Sequence, residues 1–414
     1  MKNTKVCVVG LGYIGLPTAL MFAANNIEVV GLEVNEALIR DISAGKSKIS
    51  EDSVQRLLKR ALAGERFRVS ATPEAADVYI LTVPTPIDSS GKPDLSFVFG
   101  AMTSLLPVLS KGNMVLLEST SPVGTTDDLL SLIESKRPDL KISDRDEPDI
   151  NVCYCPERIL PGNTVFELEN NDRIIGGITK KCAERAENLY RLFVKGECFI
   201  TDARTAELAK LAENAYRDLN IAFANELSMV CDNSGIDVWE LIKLANRHPR
   251  VDILNPGPGV GGHCIAVDPL FIVEQDRDTA KLIAEARRTN ERKTEWVVSK
   301  IMSEVSALGR SNASLLTVCF LGLSFKANVG DVRNSPALNI VKRCIDLDIE
   351  IVVVDPHVEK LPLEAENLKA EELGNAVKAA DLVVMLVAHK EFFEKSATQL
   401  LKNHKNLIDT CGVL

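Results

Sequence analysis

An apolar β-type run, Lys5-Val6-Cys7-Val8-Val9, breaks directly into Gly10-Leu11-Gly12-Tyr13-Ile14-Gly15 and then into a helical segment over residues 17–25. A second β-type run, residues 28–32, follows and ends at Glu33. Three glycines at this spacing are weak evidence alone, but between a strand and a helix, with an acid about twenty residues on, they form a dinucleotide fingerprint. Gly10, Gly12 and Gly15 permit the tight turn and bring backbone N–H groups to a pyrophosphate at the helix start. A carboxylate at Glu33 accepts from ribose hydroxyls and repels a 2′-phosphate, so the expected cofactor is NAD rather than NADP.

Further alternation of strand and helix follows, with three strand ends that read as site material. Residues 78–83 run into Pro84-Thr85-Pro86, and residues 114–117 into Glu118-Ser119-Thr120-Ser121-Pro122-Val123-Gly124-Thr125-Thr126. Residues 150–154 run into Cys155-Pro156-Glu157-Arg158-Ile159-Leu160-Pro161-Gly162. Each is ordinary turn chemistry taken singly. Together, at the carboxyl ends of an open parallel sheet, they outline one crevice in a first domain of residues 1–200.

From residue 203 to about 231 there is neither Gly nor Pro, and Asp202 can cap the start. A helix of that length is about 43 Å long. It exceeds the needs of one small domain and reads as a spine joining two, with a share in a homodimer contact. Lys210, Asn214 and Arg217 fall on one of its faces, and Leu208, Leu211, Leu219 and Phe223 are expected to wrap them in apolar surface.

A middle region, residues 201–308, carries Pro256-Gly257-Pro258-Gly259-Val260-Gly261-Gly262-His263-Cys264. Four glycines and two prolines in its first seven residues exclude regular structure and leave room for a bulky ligand. Asp268-Pro269 reads as a helix cap followed by proline at the first helical position. Cys264, just ahead of it, is the candidate nucleophile, because a thiolate is favoured there. His263 points away as a surface or packing residue. Upstream, Asn246-Arg247-His248-Pro249-Arg250 brings cations that phosphate groups need on a chain of net charge −10.

The polar linker Arg310-Ser311-Asn312-Ala313-Ser314 opens a third region, residues 309–414, with strands at 315–321, 351–354 and 382–387. Ser335-Pro336 caps a helix there, and Lys326 and Arg333 lie where a second nucleotide would sit. The expected fold is therefore α/β, with two Rossmann-like doubly wound domains joined by a long central helix. The acidic charge argues against nucleic-acid and membrane-surface partners. No secretory signal or membrane-spanning run is evident. Ten cysteines without paired CxxC spacing read as reduced thiols of a cytoplasmic protein, and no metal-ligand spacing is present.

These motifs resemble the nucleotide-sugar 6-dehydrogenase family, which includes the UDP-glucose and GDP-mannose dehydrogenases, over nearly the whole chain. The glycine loop with Cys264 and Asp268, the Lys210–Asn214 pair, and Phe325-Lys326 with Asp331 and Arg333 carry the likeness. Residues 246–250 and 261–269 look more particularly like the branch acting on UDP-N-acetyl-D-mannosamine. UDP-glucose enzymes tend to have Ser before the cysteine, and Phe-Leu in place of Arg158-Ile159. The resemblance implies two hydride transfers to two NAD⁺ at C6, with Cys264 trapping the aldehyde as a thiohemiacetal and then a thioester. It gives Lys210 and Asn214 the oxyanion, Asp268 the positioning of Lys210, and Glu157 and Thr120 the hydrolytic water. It assigns Tyr13, Ile14, Glu33, Thr85, Thr126 and Arg333 to NAD. It assigns Arg158, Ile159, Lys210, Asn214, Arg217, His248, Arg250, Gly261, Phe325 and Lys326 to the UDP-sugar, with His248 and Arg250 coming from a partner subunit. UDP-N-acetylglucosamine, UDP-glucose and GDP-mannose stay open as substrates. So do a non-catalytic nucleotide-sugar sensor and a two-electron hydroxy-acid dehydrogenase.

Overall fold

The computed structural model describes residues 4–412 apart from 50, 89–90, 141–146, 160–161, 310–314, 359 and 362–367. The linker 310–314 and Leu160-Pro161 thus lie outside the described residues. The chain forms two compact units, Met1–Ala212 and Glu213–Leu414.

The first unit is built on strands β1 (Lys5–Val9), β2 (Glu28–Leu32), β3 (Phe67–Ser70), β4 (Val78–Leu81), β5 (Met114–Leu117), β6 (Asn151–Tyr154), β7 (Arg173–Gly177) and β8 (Cys198–Asp202). Their order is β3-β2-β1-β4-β5-β6-β7-β8. The first six strands are parallel and follow the dinucleotide-binding order. At β7 the direction reverses, Cys153 pairing with Gly177 across an antiparallel seam. Alternate residues of one strand enter different cores: Val6 and Val8 pack on one face of the sheet, Cys7 and Val9 on the other. A strand covered on both faces must be apolar throughout, which is why β1, β4 and β5 read as unbroken hydrophobic runs.

The second unit holds β9 (Leu316–Leu321), β10 (Ile349–Val354), β11 (Lys369–Ala370), β12 (Leu382–Met385) and β13 (Leu407–Asp409), in the order β11-β10-β9-β12-β13 and all parallel. This repeats the first five positions of the other sheet. Val318 and Phe320 go to one core, Cys319 and Leu321 to the other. Ser335 caps the helix Pro336–Cys344 by accepting from the Leu338 N–H, as its sequence suggests.

The spine helix spans Ala203–Ser234, 32 residues or about 48 Å. It starts without a spacer after β8: Asp202 accepts from the Thr205 N–H at 2.9 Å and from the Thr205 hydroxyl at 2.6 Å. The expected apolar wrapping holds only in part. Leu211 is buried, but Leu208 and Phe223 are 45% and 53% exposed. Phe223 belongs instead to an outward stripe with Tyr216 and Val230, whose spacing of seven keeps them on one side of the helix. Among the described residues no helix is long and apolar enough to cross a membrane.

Candidate active site

In the first unit the glycine turn has the geometry its spacing implies. Gly10 sits at φ +89°, and a Cβ on Gly15 would lie 1.9 Å from the Gly10 carbonyl oxygen. A Cβ on Gly12 would meet nothing within 4 Å, so open space lies before the turn. The helix Gly15–Ala24 behind it has no side-chain cap. Glu33 accepts from the Leu11 N–H through Oε2 and from Val34 and Asn35 N–H through Oε1, each at 2.9 Å. This fixes the carboxylate beside the turn. An open glycine cradle, an uncapped helix start and an oriented carboxylate fit the pyrophosphate and ribose of NAD. Tyr13 and Ile14 lie on this turn, Tyr13 donating its hydroxyl to Glu51 at 2.8 Å.

Thr85 and Thr120 are half-buried in the segments following β4 and β5. Thr126 lies in the first turn of the helix Thr125–Lys136. It is buried, and its N–H and hydroxyl donate to Glu207 Oε1 at 2.8 and 2.6 Å. Glu207 Oε2 accepts from the Gly124 N–H, so a spine-helix carboxylate caps the helix Thr125–Lys136.

Glu157 is held in a buried ion pair, Arg173 Nη2 reaching its Oε2 at 3.0 Å. Its Oε1 accepts from Arg158 and Ile159 N–H at 2.7 and 3.0 Å. Arg173 also lies 4.7 Å from the Tyr190 ring centroid. The Tyr190 hydroxyl donates to the buried Glu118 carboxyl, which accepts from Thr18 as well. Burial pushes Glu118 up to about 7, against the attraction of Arg173. The Arg158 guanidinium donates to the Asp172 carbonyl at 2.6 Å, and Ile159 packs against the core. Nothing local in the chain marks Arg173, Glu118 and Tyr190 as one network, because Arg173 reaches the others from β7, which runs against its neighbour β6.

Lys210 is buried on the spine, and Asn214 stands one turn further along the same face. Arg217 is exposed. In the second unit, Asn214 Nδ2 donates to Asp268 Oδ2 at 2.6 Å. This corrects the expected cap. Val267 is the N-cap, and Asp268 is the first residue of the helix Asp268–Gln275. Val267 and Asp268 N–H both donate to the Cys264 carbonyl, so the turn has closed before Asp268, whose carboxylate faces the spine instead.

The glycine loop is pressed between neighbours. A Cβ on Gly261 would lie 2.3 Å from the Asn334 carbonyl oxygen, and one on Gly262 would lie 2.9 Å from the Phe325 ring at φ +84°. A buried amide relay anchors its start: Asn290 donates to Asp218, Asn225 to Asn290, and the Gly257 N–H to Asn225 at 2.9 Å. Phe325, Cys264, Gly261, Asn214 and Asp268 are thereby gathered around one loop. Arg333 forks onto Asp331, with Nη2 to Oδ2 at 2.6 Å. Against the upward pull of burial, that guanidinium holds Asp331 below its ordinary value. His263 lays its ring edge-on to Phe325, and the water lost there, then Arg333, push its pKa down. Lys326, His248 and Arg250 are exposed, the last two in the turn after the helix Val238–Ala245.

Exposure separates the thiols. Only Cys198, Cys264 and Cys411 are not buried. Burial raises Cys198, and pushes Cys411 up to about 12. Cys182 is brought down to about 6 by its hydrogen bond with Cys153, but is walled off from any substrate. Cys264 is half-buried in the glycine loop. Among the described residues, one trio with metal-ligating atoms, His357, His389 and Glu391, lies within 4.8 Å of one another.

Residues 4–194 match the NAD-binding domain of the UDP-glucose/GDP-mannose dehydrogenase family, 204–292 its central domain and 319–414 its UDP-binding domain. A UDP-N-acetyl-D-mannosamine dehydrogenase of Yersinia pestis is 47% identical over 420 residues, covering 100% of both chains. An NDP-N-acetyl-D-galactosaminuronic acid dehydrogenase of Ralstonia nicotianae is 47% identical over 411 residues, 99% of this chain and 96% of the relative. Among solved structures, the UDP-N-acetyl-mannosamine dehydrogenase Cap5O of Staphylococcus aureus superposes with a TM-score of 0.88 at 43% identity, covering 99% of this chain and 96% of that one.

Proposed function

Because the chain belongs to the UDP-glucose/GDP-mannose dehydrogenase family and is an NAD-dependent nucleotide-sugar dehydrogenase, we propose that its substrate is UDP-N-acetyl-D-mannosamine, oxidised at C6 to the uronate. The observation carrying this reading is a half-exposed thiol, Cys264, in a glycine loop whose neighbour Asp268 is bonded to Asn214. The 47% identity to the Yersinia pestis enzyme over the whole chain supports this sugar, and the equally similar Ralstonia nicotianae relative makes the N-acetylgalactosamine substrate its direct competitor.

The overall change is RCH₂OH + 2 NAD⁺ + H₂O → RCO₂⁻ + 2 NADH + 3 H⁺. NAD would be held by the Gly10–Gly15 turn and Glu33 and would supply hydride acceptance at both oxidations. Lys210 and Asn214 stabilise the oxyanion as the C6 hydroxyl gives up its proton. Asp268 fixes the Asn214 amide, so the donor is already oriented when charge develops. The Cys264 sulfur then adds to the aldehyde, forming a C–S bond, and the thiol proton passes to the oxygen. After the second oxidation the carbon is a thioester. Water breaks the C–S bond, returning the thiol and leaving the carboxylate. Thr120 and Glu157 are the residues we assign to that water.

The enzyme is expected to yield two NADH per sugar. Cys264→Ser forms no uronate, and Lys210→Ala loses on the order of a thousandfold in kcat. Turnover with UDP-N-acetyl-D-mannosamine, UDP-N-acetylglucosamine, UDP-N-acetylgalactosamine, UDP-glucose and GDP-mannose, with product counted against NADH, tests both parts. Preference for another sugar overturns the substrate, and one NADH per sugar overturns the chemistry. We further assign three parts, residues 1–200, 201–308 and 309–414, a cytoplasmic setting, and a homodimer through the outward stripe of the spine.

A further inference from the structure

The trio of His357, His389 and Glu391 contains one histidine that faces no solvent. His389 is wholly buried, and the Asn328 N–H donates to its Nδ1 at 3.0 Å. Nδ1 is therefore the unprotonated nitrogen, and the ring proton is on Nε2. Nε2 lies 3.2 Å from Asp355 Oδ2 and 3.3 Å from Ser324 Oγ. The Ser324 hydroxyl donates to the Lys326 carbonyl at 2.8 Å, leaving its oxygen free to accept. Both ring nitrogens are thus engaged, so metal binding would first have to break one of these contacts.

These partners hold one short loop from both ends. Ser324 and Asn328 bound residues 324–328, and between them stand Phe325 and Lys326. Asp355, at the end of β10, ties the same turn to the sheet by accepting from Leu323 and Ser324 N–H at 2.7 and 3.2 Å. Asn328 is itself clasped, its Oδ1 accepting from the Lys390 N–H at 2.8 Å. The Phe325 ring fills the space that a side chain at Gly262 would need. The rings of His357 and Phe392 pack against His389 at 4.9 and 5.6 Å.

We propose that His389 is a positioning residue for the UDP-sugar: it touches no ligand, but pins residues 324–328 so that Phe325 and Lys326 are presented in one fixed arrangement. This rests on the assignment of Phe325 and Lys326 to the UDP-sugar. A loop held this way binds without first being ordered, so loosening it weakens the ligand whose contacts it carries. It leaves the other ligand alone.

The test uses the full-length enzyme with His389→Leu, which removes both bonds, and His389→Asn, whose Oδ1 can replace the Nδ1 acceptor. His389→Leu should raise KM for UDP-N-acetyl-D-mannosamine about tenfold, the low end of the cost of leaving buried polar partners unpaired, with KM for NAD within twofold. His389→Asn should recover most of that loss. Hydrogen exchange of the peptide spanning residues 322–330, read without substrate, should quicken in His389→Leu and stay slow in His389→Asn. Equal exchange in wild type and His389→Leu overturns the pin whatever the substrate proves to be. Faster exchange with an unchanged sugar KM, or with both KM values raised alike, overturns the positioning role. If His389→Leu does not fold, UDP binding by calorimetry to His389→Asn and His389→Gln decides. Asn should bind within threefold of wild type and Gln more weakly, and the reverse order overturns the proposal. A wild type that oxidises only some other nucleotide sugar refutes the substrate assignment alone, because exchange and UDP affinity still report on the loop.

Discussion

The buried carboxyl of Glu118 makes a direct prediction about pH. Its pKa is pushed up to about 7 from an ordinary 4.5 by burial. The folded state therefore holds a proton that the unfolded chain releases at lower pH. Its contribution to stability is complete below about pH 4.5 and is lost as pH rises through about 7. Glu118→Gln keeps an acceptor for Tyr190 and cannot ionise. Its unfolding free energy, from urea melts, should fall less than that of wild type between pH 5 and 8, by on the order of 3 kcal/mol. Parallel curves for the two proteins would refute this. Gly261→Ala should be poorly active, since the new Cβ would lie 2.3 Å from the Asn334 carbonyl oxygen. At this scale the sequence points to candidates whose signal is local: a thiol among glycines, and an acid after a strand. It could not reveal Arg173, which meets Glu157 16 positions away only because β7 runs antiparallel to β6.

Elements read from the sequence were those whose signals lie within the element itself. β1, β2 and β5 have the bounds their apolar runs suggest, and the spine begins where Asp202 caps it. The start of Asp268–Gln275 was shifted by one residue, because a turn onto the Cys264 carbonyl competes with capping by Asp268. Glu207 was missed for a different reason. Along the spine it is one acid among several, and only the arrival of residues 124–126 gives it three donors. Glu207→Ala would leave those donors without their acceptor inside the protein. The expected loss is on the order of 3 kcal/mol, measured as a lower urea midpoint. A midpoint unchanged from wild type would mean that water replaces the carboxylate.

For the whole molecule, the two doubly wound domains were legible as two runs of alternating strand and helix, the first opened by a glycine turn. Assembly was not legible residue by residue. Leu208 and Phe223 were expected to cover the polar face of the spine, yet both are exposed. The hydrophobic pattern of a long helix does not say which partner meets each side. If the stripe of Tyr216, Phe223 and Val230 is the proposed dimer contact, Phe223→Asp should shift the sedimentation coefficient to that of a monomer. A wild-type protein that already sediments as a monomer would rule the contact out.

The direct passage from β8 into the spine has a consequence of phase. With no loop at Asp202 to absorb slack, each residue after it has an angle around the helix axis set by its count from the sheet. One residue inserted between Asp202 and Ala203 would turn everything downstream by about 100°. It would swing Glu207 off the helix start it caps and Lys210 out of its buried seat, although every original side chain would still be there. Such an insertion should do more harm than any single substitution along the same helix, because at this junction the spacing itself carries information.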